Sequence, residues 1–310
     1  MANDPPASSH QFSLRRGRLA QTQEEKMTKL KCAICESDQH EVPFRQIGGY
    51  NLLKCTKCGL VFMSHVFDGV VEGDSFIKIA KDALPQTDKE KVEYWSFPHL
   101  YQKYQHIFEA FFRERLERLR RYRPALHSML DIGCGYGFWM KFCRDRGLEV
   151  FGLDSSSEVV DWAKKNFGLP VEKIFLEDFT SSKQYDSVVL CDILEHLTNP
   201  NEQLQKVHSF LSEDGVVYIQ VPNVLGFKLP PGHGFGLPFH LWQFSYRSLK
   251  KLLEKNGFKV INHWTGASSV IGVYEKGGPS FKMKVLWWLA HFLKLGNRLQ
   301  VLAEKKKLLS

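Results

Sequence analysis

From residue 128 onward, short apolar or β-branched runs alternate with stretches of helical periodicity. The predicted strands read SMLDIG, EVFGLD, KIFLED, YDSVVLCD, GVVYIQVP, FKVINHW and RLQVLAE. The predicted helices between them include FWMKFCRDRG, SEVVDWAKKNFG, NEQLQKVHSFLS and SYRSLKKLLEKNG. Strands that alternate with helices are joined by crossovers and therefore pair in parallel. This pattern predicts an α/β fold with a doubly wound parallel sheet.

The remaining segments differ in composition and period. Residues 1–28 are rich in Pro, Ser, Gln and charge without a sustained period, which predicts a disordered extension. Apolar residues at steps of three and four predict a helix from 101 to 122, within a helical linker or lid at 67–124. We expect the α/β domain at 125–310, with an insert at 266–296 before its last strand.

A glycine loop follows the first predicted strand. Gly133, Gly135 and Gly137 alternate with other residues there, and glycine permits close approach to the backbone. A dinucleotide fingerprint requires glycine at its sixth position, where this chain has Phe138. Asp131, at the strand end, would repel a pyrophosphate but attract a cation. A nucleoside that carries an ammonium and a sulfonium, S-adenosylmethionine, meets this electrostatic demand.

Acidic residues also follow the next three predicted strands. Asp154 is placed to accept both ribose hydroxyls, as an acidic residue about 20 positions beyond a glycine loop does. Asp178 is expected to take the adenine amino group, and Phe179 to stack on or abut the ring. Asp192, in the motif CDILEHL, is expected to face the methyl group.

The motifs DIGCGYG, GLDSS, EDF and YDSVVLCDILEHL occur in this order. On these motifs, the segment 125–310 resembles the class I S-adenosylmethionine-dependent methyltransferases. The resemblance implies a Rossmann-like sheet of seven strands whose last strand, in GNRLQVLAEKK, runs antiparallel. It also implies an enzyme that moves a methyl group from S-adenosylmethionine to an acceptor.

Two C-x₂-C pairs lie near the N-terminus. Cys32 and Cys35 form the first pair, and Cys55 and Cys58 follow after a gap of 19 residues. This spacing is typical of a tetrahedral zinc ribbon, here predicted at 29–66. Four protein ligands leave no open coordination position, so the zinc is predicted to be structural. The alternative is four unligated thiols.

A Y-x₃-KCTKCGLVFM ribbon ahead of such a domain is similar to methyltransferases of bacterial sugar and polysaccharide pathways, including sugar C-methyltransferases. That resemblance implies a small hydroxylated acceptor, plausibly a nucleotide-linked or lipid-linked sugar. It further implies that His240, in HLWQFS, serves as general base, although Phe239 replaces the acidic residue that precedes this histidine in that group. Glu195 and His196 are the other catalytic candidates. The structural alternatives are a loop contact for His196 and a lid-orienting role for His240.

The net charge of +8 is unevenly distributed, since residues 276–310 contain eight Lys or Arg against one Glu. A uniformly basic nucleic-acid surface is therefore not indicated, and CDIL lacks the proline-aromatic tetrapeptide of amino-directed nucleic-acid methyltransferases. The alternative function is an RNA-modifying methyltransferase whose ribbon and basic stretches hold nucleic acid. A further alternative is a binding module that kept the cofactor fold without catalysis.

The first residues lack an apolar leader, and the sequence predicts a cytoplasmic protein. The apolar run Val285–Phe292 is far shorter than the roughly 20 residues that span a membrane. Two tryptophans with flanking lysines at 281–295 instead suggest peripheral membrane contact through an interfacial helix. A lid or dimer helix is the alternative.

Overall fold

The computed structural model describes residues 27–47, 49–67, 97–226, 236–266 and 278–306. The strands are β1 (Met27–Lys29), β2 (Glu41–Ile47), β3 (Tyr50–Cys55), β4 (Val61–Met63), β5 (His65–Phe67), β6 (Ser128–Ile132), β7 (Glu149–Asp154), β8 (Val171–Lys173), β9 (Tyr185–Cys191), β10 (Leu211–Pro222), β11 (Trp242–Gln243), β12 (Phe258–Gly266) and β13 (Arg298–Lys305). The helices are α1 (Phe97–Lys103), α2 (Gln105–Tyr122), α3 (Phe138–Arg144), α4 (Ser157–Phe167), α5 (Pro200–Phe210), α6 (Tyr246–Lys255) and α7 (Phe281–Phe292).

Seven strands form the main sheet in the order β12-β13-β10-β9-β6-β7-β8. Pairing is parallel from β10 through β8, whereas β13 is antiparallel to both of its neighbours. The predicted Rossmann-like sheet and its antiparallel last strand are therefore confirmed. The strands are apolar on both faces because helices cover both sides of a doubly wound sheet.

Successive residues of the central strand β6 serve two separate cores. Met129 packs in the cluster that contains Leu119 of α2 and Ala163 of α4. Leu130 packs in the other cluster, which contains Leu252 of α6. The alternation follows from the two-residue period of a strand. Two cores hold the sheet between its helices and fix the loops at its carboxyl edge.

The third strand of the α/β domain, β8, is shorter than predicted. It spans Val171–Lys173, whereas the pattern KIFLED predicted a strand that continues to Asp178. Its neighbour β7 ends at Asp154, and the backbone N–H of Ile174 makes a last bond to the Asp154 carbonyl at 3.0 Å. Beyond that point no strand is left to pair with, so the chain turns away from the sheet.

The N-terminal module forms a four-stranded sheet in the order β11-β4-β3-β2. Its fourth strand, Trp242–Gln243, comes from the α/β domain and pairs with Phe62 and Val61. The sequence did not predict this strand, because two residues carry no detectable period. The ring of Trp242 lies 5.8 Å from that of Phe62, so the ribbon and the domain share one core.

Side chains also join the module to two helices of the domain. The side-chain amide of Asn201 in α5 donates to the Ala33 carbonyl at 2.8 Å, and the ammonium group of Lys255 in α6 pairs with the Glu36 carboxylate at 2.7 Å. The module is thus docked by backbone pairing, a shared core and polar contacts. Since the cysteine segment has few apolar residues, this shared core supplies burial that it lacks alone.

Three segments predicted from the sequence, the extension, the linker and the insert, lie partly outside the described residues. Residues 1–26 of the predicted extension lie outside the described residues, whereas Met27 joins β1, which pairs with β5. Residues 68–96 of the predicted linker and 267–277 of the predicted insert also lie outside them. Within the described ranges, no helix combines the length and apolarity needed to cross a bilayer.

Candidate active site

The glycine loop joins the carboxyl end of β6 to α3. Gly135 adopts φ +53°, and no heavy atom lies within 4 Å of the position that a Cβ would take. Gly133 has φ +72°, and a Cβ there would lie 2.0 Å from Cδ1 of Ile193. The loop therefore leaves open space at Gly135 while it packs tightly at Gly133. Gly137 ends the loop in a left-handed conformation as the N-cap of α3.

Asp154 ends β7 and holds the neighbouring loop. Its Oδ2 accepts a hydrogen bond of 2.8 Å from the Gly135 amide, and its Oδ1 accepts one of 2.9 Å from the Ser156 amide. These bonds fix the carboxylate between the glycine loop and the start of α4. The two motifs that the sequence assigned to one ligand are therefore adjacent.

Asp131 is buried, with 4% of its surface exposed, and lies at the carboxyl end of β6. Burial raises the pKa of its carboxyl to about 7, despite the lowering effect of the Arg115 guanidinium; Asp154 adds a further rise. Arg115 comes from α2 and packs over the rings of Trp139 and Tyr218, at 4.8 and 5.5 Å. The site therefore holds a buried acid beside a half-buried cation.

Sequence reasoning did not single out Arg115. One signal was available, because Arg115 follows Phe112 by three positions and precedes Leu119 by four. Those spacings put Arg115 on the apolar face of α2, where a charged side chain needs a partner inside the protein.

The predicted adenine contacts lie beyond β8. Asp178 is exposed in a turn, where its amide donates to the Phe175 carbonyl at 3.1 Å. Phe179 is only 5% exposed, and its ring packs against Phe151 and Phe210 at 6.0 and 5.2 Å. Only a small part of the Phe179 ring is thus available to abut a ligand.

Asp192 directly follows β9 with φ +58°, a conformation that costs energy for a residue with a side chain. Its Oδ2 accepts a hydrogen bond from Gln220 at 3.0 Å and pairs with Arg298 at 3.1 Å. Its Oδ1 is buried and accepts no hydrogen bond from the described residues. The carboxylate therefore lies at the carboxyl end of β9, beside Gln220 of β10 and Arg298 of β13.

Glu195 is fully buried, and neither of its carboxylate oxygens accepts a hydrogen bond within the described part of the chain. Burial, with the charge of Asp192 second, raises the pKa of Glu195 well above its ordinary value. A buried carboxyl without hydrogen bonds is costly and requires an explanation.

His196 and His240 lie beside this carboxyl. Nε2 of His196 is 4.0 Å from Oε1 of Glu195, and the two imidazole rings are 4.8 Å apart at 81°. Nδ1 of His196 lies 3.0 Å from the Phe239 carbonyl, which can accept a hydrogen bond from this ring only if Nδ1 carries the proton. Burial lowers the pKa of His196, which favours the neutral ring with Nε2 unprotonated.

Backbone bonds hold His240 in place. The amides of Leu241 and Trp242 donate to the Glu195 carbonyl at 2.8 and 3.2 Å, and the Met63 amide of the ribbon donates to the Leu241 carbonyl at 2.9 Å. The His240 ring lies against Gly236, where a Cβ would come within 2.2 Å of Nδ1. The predicted catalytic residues are thus brought together by the segment that completes the ribbon.

The four cysteines of the ribbon also converge. Each pair of their sulfur atoms lies within 4.8 Å. Sγ of Cys32 is 3.4 Å from that of Cys58, and Sγ of Cys35 is 3.7 Å from that of Cys55. Tetrahedral ligands at a Zn–S distance of about 2.3 Å are separated by about 3.8 Å, so the donor set fits a zinc ion.

Comparison with known proteins identifies one matching family model. The model, described as a methyltransferase domain, matches residues 104–263, which is about half of the chain. The match includes the glycine loop, Asp154, Asp192 and the Glu195–His196 pair.

Curated relatives match shorter segments. The ubiquinone biosynthesis O-methyltransferase of Glaesserella parasuis is 28% identical over 107 residues, or 31% of this chain and 45% of that protein. The (S)-coclaurine N-methyltransferase of Thalictrum flavum is 26% identical over 102 residues, or 30% of this chain and 28% of that protein. The chain thus spans less than half the length of these relatives.

Among solved structures, the plantazolicin methyltransferase BpumL in complex with SAH aligns with a TM-score of 0.49. The two are 20% identical, and the alignment covers 76% of this chain and 99% of that one.

We expect the substitution Asp131→Asn to change how stability depends on pH. Folding raises the pKa of Asp131 from 3.8 to about 7. The unfolding free energy of the wild type therefore falls as the pH rises from about 4 to about 7. In this range Asp131 is ionised in the unfolded chain but still protonated in the folded protein. The variant lacks this loss. Across that range the unfolding free energy of the variant should rise relative to that of the wild type by about 4 kcal/mol at most, as measured by urea unfolding.

The substitution Asp161→Asn is the matched control, since Asp161 is exposed on α4. The unfolding free energy of this variant should depend on pH as that of the wild type does. Parallel curves for Asp131→Asn and the wild type would show that folding does not raise the pKa of the Asp131 carboxyl.

Proposed function

Because this chain belongs to the methyltransferase domain family, we propose that it transfers a methyl group from S-adenosylmethionine to a small-molecule acceptor. One observation carries this proposal. The glycine loop held by Asp154 opens at the same sheet edge as Asp192 and the group of Glu195, His196 and His240. A cofactor cradle and a group able to act on an acceptor proton are therefore neighbours.

The cofactor would bind along the carboxyl ends of β6, β7 and β9. The open face at Gly135 admits it, Asp154 accepts from its ribose hydroxyls, and Asp131 attracts its ammonium group. A positive ligand stabilises the ionised form of Asp131, so its binding would lower a pKa that burial has raised. Asp178 and the edge of Phe179 would meet the adenine, and Asp192 would face the methyl group.

The acceptor that we propose is a small hydroxylated molecule such as a nucleotide-linked or lipid-linked sugar. The combination of a cysteine ribbon with this domain supports the choice of a sugar. The match of this chain to relatives named for O- and N-methylation supports a small-molecule acceptor more generally. Two arginines in and after α2 weigh against RNA, because Arg118 of α2 bonds Gln300 and Glu114, and Arg123, which follows α2, pairs with Asp186.

Methyl transfer is an in-line displacement. The S–CH₃ bond of the sulfonium breaks as the bond from the methyl carbon to the acceptor atom forms, and a hydroxyl acceptor must also lose its proton. The protein orients the two reactants and promotes the loss of this proton. We assign the second task to Glu195, His196 and His240.

The substitution His240→Ala should lower turnover by about 100-fold or more, because a group that handles the acceptor proton contributes this much. Binding of S-adenosylhomocysteine should persist, since Asp131, Gly135 and Asp154 are unchanged. A screen of nucleotide sugars and other hydroxylated acceptors for S-adenosylhomocysteine release supplies the turnover assay, and calorimetry gives the affinity.

The control is His127→Ala, an exposed histidine before the opposite end of β6. It should turn over as the wild type does. Near-normal turnover of His240→Ala would remove His240 from the reaction, and a failure of the wild type to bind the cofactor would refute methyl transfer as a whole.

We also propose that the four cysteines bind one structural zinc ion, the zinc ribbon at 29–66. Their sulfur spacing supports the proposal, and so does the contact between Cys32 and Cys58, which lowers the pKa of Cys32 to about 5. The ribbon supplies β4, with which Trp242 and Gln243 pair. Zinc would therefore stabilise the segment that carries His240 without acting on the substrate.

Elemental analysis should find about one zinc per chain. The substitution Cys35→Ser should reduce the zinc content and lower the melting temperature, whereas Cys191→Ser, outside the cluster, should leave the zinc content unchanged. A ribbon that is fully folded without metal would contradict the proposal.

The surface of α7 supports a peripheral membrane contact. Its side chains Phe281, Trp288 and Phe292 are 83, 64 and 70% exposed, and Lys282 and Lys284 lie among them. Exposed aromatic residues beside lysines suit an anionic lipid interface. A lipid-linked acceptor would reach the enzyme at such a surface.

Flotation with vesicles that contain anionic lipid should recover the protein, and neutral vesicles should recover less. The double substitution Trp288→Glu and Phe292→Glu should abolish the recovery, because it removes apolar area and adds negative charge. Phe44→Glu, an exposed position on β2, is the control. Absence of binding at physiological salt would instead favour a lid or dimer helix.

A further inference from the structure

Three side chains at the carboxyl end of β9 have the chemistry of a metal site. One carboxylate oxygen of Glu195 and one nitrogen each of His196 and His240 all lie within 4.8 Å of one another. Two imidazoles and one carboxylate form a common ligand set for divalent first-row metals. This cluster is separate from the cysteines of the ribbon.

The carboxylate of Glu195 gives independent evidence of a missing ligand. It is fully buried, yet both of its oxygens lack a hydrogen-bond donor among the described residues. Nearby, Oδ1 of Asp192 is also buried and accepts no hydrogen bond there. The charge of Asp192 acts on Glu195, so the two carboxylates repel each other when both are ionised. A cation between them would satisfy the orphaned oxygens and offset this repulsion.

The histidines are oriented as metal ligands usually are. Nδ1 of His196 contacts the Phe239 carbonyl, and this contact leaves Nε2 on the side of Glu195. A metal-bound histidine commonly donates its other ring N–H to a backbone carbonyl, which fixes the tautomer. The ring of His240 is held by its packing on Gly236, where no side chain could be accommodated.

We propose that Glu195, His196 and His240 bind a divalent first-row transition-metal cation that takes part in acceptor binding. Three protein ligands leave coordination positions open for water or an acceptor oxygen. The inference rests on the proposed methyl transfer and specifies how these residues promote it. A hydroxyl on the cation has a lowered pKa, so its proton passes to water as the oxygen takes the methyl group from the sulfonium.

Mn²⁺ is the probe, since it prefers oxygen and nitrogen ligands and binds weakly to thiolates such as those of the ribbon. The full-length protein is first freed of loosely bound metal, and its zinc content is recorded. Titration followed by the electron paramagnetic resonance signal of free Mn²⁺ should then show about one bound ion per chain. Glu195→Gln, which keeps the side-chain volume, should weaken binding at least about ten-fold, and His240→Asn should do the same.

The control Glu202→Gln replaces an exposed carboxylate on α5 and should bind Mn²⁺ as the wild type does. Equal affinity in the wild type and Glu195→Gln, or no stoichiometric binding by the wild type, would overturn the inference. S-adenosylhomocysteine affinity is measured on the same samples. If the cofactor binds but Mn²⁺ does not, only the metal site is refuted; if the cofactor does not bind, the proposed methyl transfer fails.

Discussion

The site depends on the position of β6 between β7 and β9. Both neighbours run parallel to it, and Ile132 at its end is paired with Leu153 on one side and Leu190 on the other. The chain crosses over from β6 to β7 in one direction and reaches β9 in the other. Loops at the carboxyl ends therefore diverge and leave a crevice. Asp154 and Asp192, which are distant in sequence, lie at the strand ends on either side of it.

A second constraint is the segment that runs from Gly236 to Ser245. Its backbone bonds to the Glu195 carbonyl on one side and to the ribbon strand β4 on the other. His240 therefore takes its position from two parts of the molecule at once. Because Trp242 completes the core of the ribbon, a change in the cysteine module would reach the candidate acceptor site through one strand pairing.

Several buried or half-buried charged side chains lie at the site, although the chain as a whole is basic. Asp131 lies opposite Arg115, and Asp192 pairs with Arg298, so each of these acids has a cationic neighbour. Glu195 instead lies beside two imidazoles, those of His196 and His240, and its carboxylate oxygens accept no hydrogen bond from the described residues. A charged group is expensive to bury without compensation. The acids of the cofactor region thus have arginine partners, whereas no arginine of the described residues donates a hydrogen bond to the carboxylate of the proposed metal site.

The sequence determined the class of fold, because alternating apolar runs and helical periods allow few arrangements other than a parallel sheet. It also identified the glycine loop and the cysteine pairs, whose spacing has a direct chemical meaning. The length of β8 could not be predicted, since it depends on where its neighbour β7 ends. Arg115, β11 and the meeting of Glu195 with His240 were decided only in the tertiary structure. Such contacts join residues far apart in the chain, and local sequence patterns carry no information about which distant surfaces will pack together.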